Sequence, residues 1–325
     1  MNLAPAWLAV ATGRPRRGPG RAARCTSRFA LARLAGVRVV GLVLAGFVLV
    51  GDALAVDLQR DEASGLEYLE VVTGGAATAD PLPIVVAMHG LGDNPASFRL
   101  LLDDLPARAR IVFPRGPMPH GPDGFSWFDF HSDDEEGAAE LGAGIRAAAD
   151  RVSTLILALK QKSGGPATAI VCGFSQGGML SFALAAGNPD LIAVAIPVSG
   201  YLPSPLWPTE RPKIRPLPKV LALHGETDKL IPVESARWSI EALRSNGYDG
   251  NLRSFPGVGH ALSPAMRAML TASVVTAVQE LSLPGVVLPG PPSPASAVPP
   301  EAQPAAPADV KQAATSGVGP SAPVH

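Results

Sequence analysis

The residues with the clearest chemical meaning are Gly173-Phe174-Ser175-Gln176-Gly177. A G-x-S-x-G spacing that follows a buried-strand run and opens a helical one fits a nucleophile elbow, a sharp strand-to-helix turn that lifts the serine hydroxyl clear of a sheet. The flanking glycines keep side-chain bulk away. The helix start aims N–H groups and a positive dipole end at the oxygen of a bound acyl group. A serine hydroxyl is a weak nucleophile at neutral pH, so it needs a histidine base held in one tautomer by a carboxylate. With such an elbow the chain order is serine, acid, histidine. Beyond Ser175, His325 is the last residue of a proline-rich end, and His224 is a strand-end histidine followed by glycine. Like His89, His224 reads as a residue that ties down a turn. His260 remains, in the loop Gly257-Val258-Gly259-His260 directly after the strand-like run Leu252–Phe255.

For the acid, the interval between Ser175 and His260 offers Asp190, Asp228 and Asp249, with Glu210, Glu226, Glu234 and Glu241. Asp228 alone among the aspartates lies just past a strong buried strand, in His224-Gly225-Glu226-Thr227-Asp228, and Glu226 is its nearest rival. The second half of an oxyanion hole belongs on a loop after an early strand. His89-Gly90-Leu91-Gly92-Asp93 follows the run Ile84–Met88 as required, so the two donors are assigned to the N–H groups of Leu91 and Gln176.

These residues need a sheet to hold them. Between residues 57 and 283, β-branched or apolar runs alternate with helix-period stretches, the signature of an α/β fold. Strands are expected at Leu66–Thr73, Ile84–Met88, Arg110–Phe113, Thr168–Gly173, Ile192–Val198, Val220–His224 and Leu252–Phe255. Helices are expected at Ala96–Asp104, Ala139–Lys162, Gln176–Ala186, Val233–Asn246 and Ser263–Leu281. The expectation is one catalytic domain over residues 56–283, with a single doubly wound, mostly parallel sheet and no large lid domain.

The ends read differently. Residues 1–55 hold eight arginines against one acid, then the apolar run Val39–Gly51 and Ala53-Leu54-Ala55. A positive flank, a short apolar core and a small-x-small site make a signal peptide, so the chain is expected to be exported, periplasmic or secreted. An uncleaved membrane anchor is the alternative, with weak membrane association. Residues 284–325 contain 11 prolines and no apolar periodicity, the composition of a disordered tail. Once the leader is set aside, 19 basic and 27 acidic residues remain, a balance that excludes a nucleic-acid partner. Cys172, inside Ala169-Ile170-Val171-Cys172, reads as a small buried hydrophobe.

Other motifs carry less. Gly142-Ala143-Gly144-Ile145-Arg146-Ala147 matches G-x-G-x-x-A but sits in a helical pattern with no strand before it, so no dinucleotide site is expected. The acidic stretch Ser132-Asp133-Asp134-Glu135-Glu136 reads either as a loop at the cleft mouth that would disfavour anionic substrates or as a solvated surface loop, and it lacks cation-ligand spacing. No cofactor or metal is expected.

Taken jointly, H-G-L-G-D at 89–93, G-F-S-Q-G-G at 173–178, H-G-x-x-D at 224–228 and G-H at 259–260 resemble the phospholipase/carboxylesterase family of α/β-hydrolases, which includes the acyl-protein thioesterases. Phe113-Pro114-Arg115-Gly116-Pro117, Ser126-Trp127-Phe128-Asp129 and Ser199-Gly200-Tyr201-Leu202 match as well. The resemblance implies an α/β-hydrolase fold, a Ser175-Asp228-His260 triad, oxyanion donors at Leu91 and Gln176, and Trp127 as a substrate contact near the acyl pocket. It also implies a small-molecule or lipid ester substrate with short to medium acyl chains. Lysophospholipase and acyl thioesterase activities are the alternatives within the class. Outside it stand a serine peptidase and a non-catalytic binding protein on a hydrolase scaffold. The leader and the proline-rich tail depart from the cytosolic members and favour an exported, bacterial-type esterase.

Overall fold

The computed structural model describes residues 58–130 and 135–283. The expected signal peptide, the tail from residue 284 and most of the acidic stretch lie outside them. In chain order the elements are β1 (Gln59–Arg60), β2 (Glu67–Val72), β3 (Ile84–Met88), α1 (Pro95–Phe98), β4 (Arg110–Pro114), β5 (Met118–His120), β6 (Gly124–Ser126), α2 (Glu135–Ser163), β7 (Ala169–Phe174), α3 (Gln176–Gly187), β8 (Ile192–Val198), β9 (Lys219–Gly225), α4 (Val233–Ser245), β10 (Asp249–Phe255) and α5 (Pro264–Ser282).

Eight strands form one sheet in the order β1-β2-β4-β3-β7-β8-β9-β10. From β4 to β10 all neighbours are parallel, while β2 runs antiparallel to β4, and β1 antiparallel to β2. Strand β3 is where the winding reverses: β4 adds on one side of it, and β7, β8, β9 and β10 add in turn on the other. A ligand crevice opens at such a reversal, outside the carboxyl ends of the strands.

Alternation along β3 shows how both faces are covered. Ile84, Val86 and Met88 join one core with α2, α3 and α4, while Val85 and Ala87 join a second with α1 and α5. Strands buried on both sides read as continuous apolar runs, which is why β3, β7 and β8 stand out in the sequence. Helix α3 is buried from Gln176 through Ala185, since it lies between the sheet and α2.

Three departures have physical causes. The helix expected over residues 96–104 is α1 followed by a 3-10 turn at Arg99–Leu101. Asn94 caps its start by accepting from Ser97 N–H at 3.0 Å, and Phe98, Leu102 and Leu105 turn into the core. Helix α2 begins at Glu135, so residues 135 and 136 belong to its first turn rather than to a loop. The β5–β6 hairpin was not expected, because Pro119, Gly121, Pro122 and Gly124 read as loop. It is held by tertiary pairing: Phe125 N–H donates to Asp93 O at 3.0 Å, and Gly92 N–H to Phe125 O at 2.9 Å.

Candidate active site

Strand register brings the motifs together. Met88 pairs with Gly173, Phe174 with Val198, Val198 with Leu223, and Gly225 with Phe255, so the carboxyl ends of β3, β7, β9 and β10 lie side by side. Ser175 follows β7, Asp228 follows β9, His260 follows β10 and Leu91 follows β3.

At the turn between β7 and α3, Ser175 has φ 55° and ψ −114°, a strained conformation for a residue with a side chain. The glycines beside it are required by contact rather than by φ. A Cβ on Gly177 would stand 2.0 Å from Met88 O and 2.9 Å from His89 O; one on Gly173 would stand 2.5 Å from Gly177 C. The elbow is thus pressed against the end of β3 with only main chain between them.

Ser175, His260 and Asp228 form one hydrogen-bonded chain. Ser175 Oγ lies 2.9 Å from His260 Nε2, and His260 Nδ1 lies 2.7 Å from Asp228 Oδ2. The other carboxylate oxygen, Oδ1, accepts the N–H groups of Leu230 at 3.0 Å and Ile231 at 2.9 Å. A carboxylate so held accepts from Nδ1–H, which leaves Nε2 as an acceptor for the serine proton. The Asp228 side chain is fully buried, while that of His260 is 18% exposed, so of this pair only the imidazole meets solvent. The Phe174 ring stands against the imidazole, centroids 5.0 Å apart.

The rival acids are elsewhere. Glu226 is exposed and accepts from Ser254 Oγ at 2.7 Å, and Asp190 and Asp249 are also exposed. Both other strand-end histidines bond to backbone. His89 Nδ1 lies 2.7 Å from Gly90 O, and its Nε2 accepts Gly116 N–H at 3.0 Å. Burial pushes its pKa below the usual imidazole range. His224 Nε2 donates to Ile231 O at 2.8 Å and lies 3.5 Å from Asp228 Oδ2. Burial lowers its pKa as well.

No hydrogen bond from the N–H groups of Leu91 and Gln176, the two expected oxyanion donors, occurs among the described residues. Trp127 is 3% exposed, and its indole N–H donates to His89 O at 3.0 Å. Its contacts are therefore to the protein framework, and it offers almost no surface to a substrate. The Gln176 side chain has no counterpart in the sequence reading. It is fully buried and bonded to the segment Ser126–Phe128, whereas a glutamine at a helix start reads as a polar surface residue. The run Ser126-Trp127-Phe128 was the available signal.

Among the described residues no cluster of three or more metal-ligating side chains occurs, and no helix is long and apolar enough to cross a membrane. An apolar cavity of about 300 Å³ lies at the opposite end of β7 and β8, lined by residues that include Thr168, Ile192, Val194 and Leu217. None of the site residues lines it.

An elbow, a base and acid in hydrogen-bonded series, and the two expected donor amides suit acyl transfer from an ester or thioester. The profile of the phospholipase/carboxylesterase family matches residues 67–276. The chain belongs to that family. Like its relatives it is a hydrolase with the α/β-hydrolase fold. It is 30% identical over 202 residues to a probable carboxylesterase of Oryza sativa subsp. japonica, covering 58% of this chain and 75% of the relative. It is 28% identical over 202 residues to acyl-protein thioesterase 1 homolog 1 of Dictyostelium discoideum, covering 58% of this chain and 87% of that one. Among solved structures, Zea mays acyl-protein thioesterase 2 aligns with a TM-score of 0.50 at 24% identity, over 65% of this chain and 98% of that one. That last likeness speaks to the fold alone.

Proposed function

We propose that this hydrolase cleaves carboxylic esters of short to medium acyl chains through an acyl-enzyme on Ser175. What carries the reading is the unbroken series Asp228, His260, Ser175, with bonds of 2.7 and 2.9 Å at the carboxyl ends of three strands. His260 Nε2 takes the proton of Ser175 Oγ as the oxygen attacks the ester carbonyl. The Leu91 and Gln176 N–H groups receive the negative charge that develops on the carbonyl oxygen. As the tetrahedral intermediate collapses, the alcohol leaves with the proton held on His260. Water then repeats the sequence and frees the acid. Asp228 stays ionised throughout, fixing the tautomer and stabilising the imidazolium.

Thioesters enter by the same steps, with a thiol in place of the alcohol, and the Dictyostelium relative named as a thioesterase supports testing them together. Export, to the periplasm or outside the cell, belongs to this reading and rests on the arginine-rich, apolar first 55 residues. The deciding experiment is turnover of a p-nitrophenyl ester series, acetate through palmitate, beside matched thioesters, by the full chain and its Ser175→Ala variant. Loss of about 10⁴-fold or more in kcat is expected for the variant. Near-full activity would exclude Ser175 as nucleophile.

A further inference from the structure

The two amides that face the developing oxyanion come from separate elements, the loop after β3 and the first turn of α3. Nothing in either element alone sets the distance between them. A third segment, Gly124–Phe128, is bonded to both. On the β3 side, Phe125 exchanges backbone hydrogen bonds with Gly92 and Asp93, directly after Leu91. The Trp127 indole N–H donates to His89 O, two residues before Leu91. On the α3 side, the Gln176 side chain accepts Trp127 N–H at Oε1 (2.9 Å) and donates from Nε2 to Phe128 O (2.8 Å). Ser126 Oγ lies 2.8 Å from Phe128 O and 3.2 Å from Gln176 Oε1, closing the same network. Gln176 is fully buried, so each of these bonds replaces water rather than competing with it.

We infer that the Gln176 amide and the Trp127 indole are positioning groups, which set the spacing of the Leu91 and Gln176 N–H donors by clamping both to the Gly124–Phe128 segment. The inference rests on the acyl-transfer reading above. It divides Gln176 into two roles: its main chain touches the oxyanion, and its side chain holds that main chain in register with the loop after β3. It likewise makes Trp127 part of the frame rather than of the acyl pocket.

The test uses the full chain with Gln176→Met, which keeps the backbone N–H and the side-chain length but removes all polar atoms, and Trp127→Phe, which removes the indole donor and keeps an aromatic ring. Displacing preorganised donors weakens transition-state binding more than substrate binding. For Gln176→Met, kcat is expected to fall about 10- to 100-fold with KM changed less than about threefold. An alkyl trifluoromethyl ketone, whose carbonyl becomes an oxyanion when Ser175 Oγ adds to it, should lose affinity by the same factor as kcat. Trp127→Phe should act in the same direction, and the double variant should lose less than the product of the two single losses, because both ties act on one segment. A folded Gln176→Met or Trp127→Phe enzyme with kcat within about twofold of the parent overturns the inference, as does a kcat loss without matching loss of ketone affinity. If Gln176→Met does not fold, Trp127→Phe decides by the same two readouts. Fluorophosphonate labelling of Ser175 in the parent protein keeps the two ideas apart: an unlabelled parent removes the acyl-transfer reading, and this inference with it.

Discussion

Replacing Asp228 by asparagine changes one atom and should nearly abolish turnover. The orientation of the new amide is dictated by its neighbours. Oδ1 of Asp228 accepts two backbone N–H groups, from Leu230 at 3.0 Å and Ile231 at 2.9 Å. An amide turned the other way would set its NH₂ against both donors and leave them unpaired, a penalty of about 1–3 kcal/mol for each. The carbonyl therefore stays on the amides, and the NH₂ faces His260 Nδ1 across the former 2.7 Å bond. Nδ1 must then accept, and the imidazole proton moves to Nε2, the atom 2.9 Å from Ser175 Oγ. A base already protonated on that atom cannot take the serine proton. The expected loss in kcat is about 10⁴-fold, equivalent to about 5.5 kcal/mol of barrier. Because the side chain is nearly isosteric, the melting temperature should move only a few degrees. The assay is p-nitrophenyl ester turnover for Asp228→Asn beside Glu226→Gln, whose parent residue is exposed and bonded to Ser254. A loss below about tenfold for Asp228→Asn, or an equal loss for Glu226→Gln, would refute the tautomer argument.

Three further outcomes can be checked independently. Gly177→Ala forces a Cβ to within 2.0 Å of Met88 O, a backbone atom of a fully buried strand, so a loss of about 1–3 kcal/mol or more is expected in urea unfolding; unchanged stability would mean that the end of β3 can give way. His89 and His224 have folded-state pKa values lowered by burial, so below the free imidazole value of 6.5 the unfolded chain binds more protons than the native one. Their contribution is therefore intact above that pH and is lost as the pH falls, at up to about 1.4 kcal/mol per unit for each histidine, which a melting temperature flat from pH 7.5 to 5 would contradict. Cys172 is fully buried with its thiol pushed up to about 12, so a Cys25→Ser chain should react with a thiol reagent only after unfolding; rapid labelling of the native protein would show that this core opens.

What the sequence disclosed, and what it withheld, follows from where the information sits. Strands β3 and β8 occupy the residues expected of them, because β-branched runs buried on both faces leave no other reading. The direction of β2 was not legible, since alternation of apolar residues is the same whichever way a strand runs. Hairpin β5–β6 was hidden because its pairing depends on Asp93, more than twenty residues away, and not on its own composition. Within the site, chain order and position after a strand were enough to bring Ser175, Asp228 and His260 forward as candidates, and the fold brings those three side chains into contact. The Gln176 side chain escaped notice for the opposite reason. Its significance lies in three bonds to a distant segment, and no local pattern marks a glutamine for burial.

The separation of the three residues along the chain has a consequence for biosynthesis. His260 stands 85 residues after Ser175 and 32 after Asp228, and it is carried by the loop behind β10, the edge strand that pairs last in chain order. During translation Ser175 emerges long before His260, and β9 has no partner on its outer side until residues 249–255 have followed. A chain that ends before residue 260 thus holds Ser175 without its hydrogen-bond partner at His260 Nε2. On the acyl-transfer reading proposed above, hydrolytic power arrives only with the completion of the sheet, so its timing is set by the last strand to add rather than by the order in which the reacting groups are made.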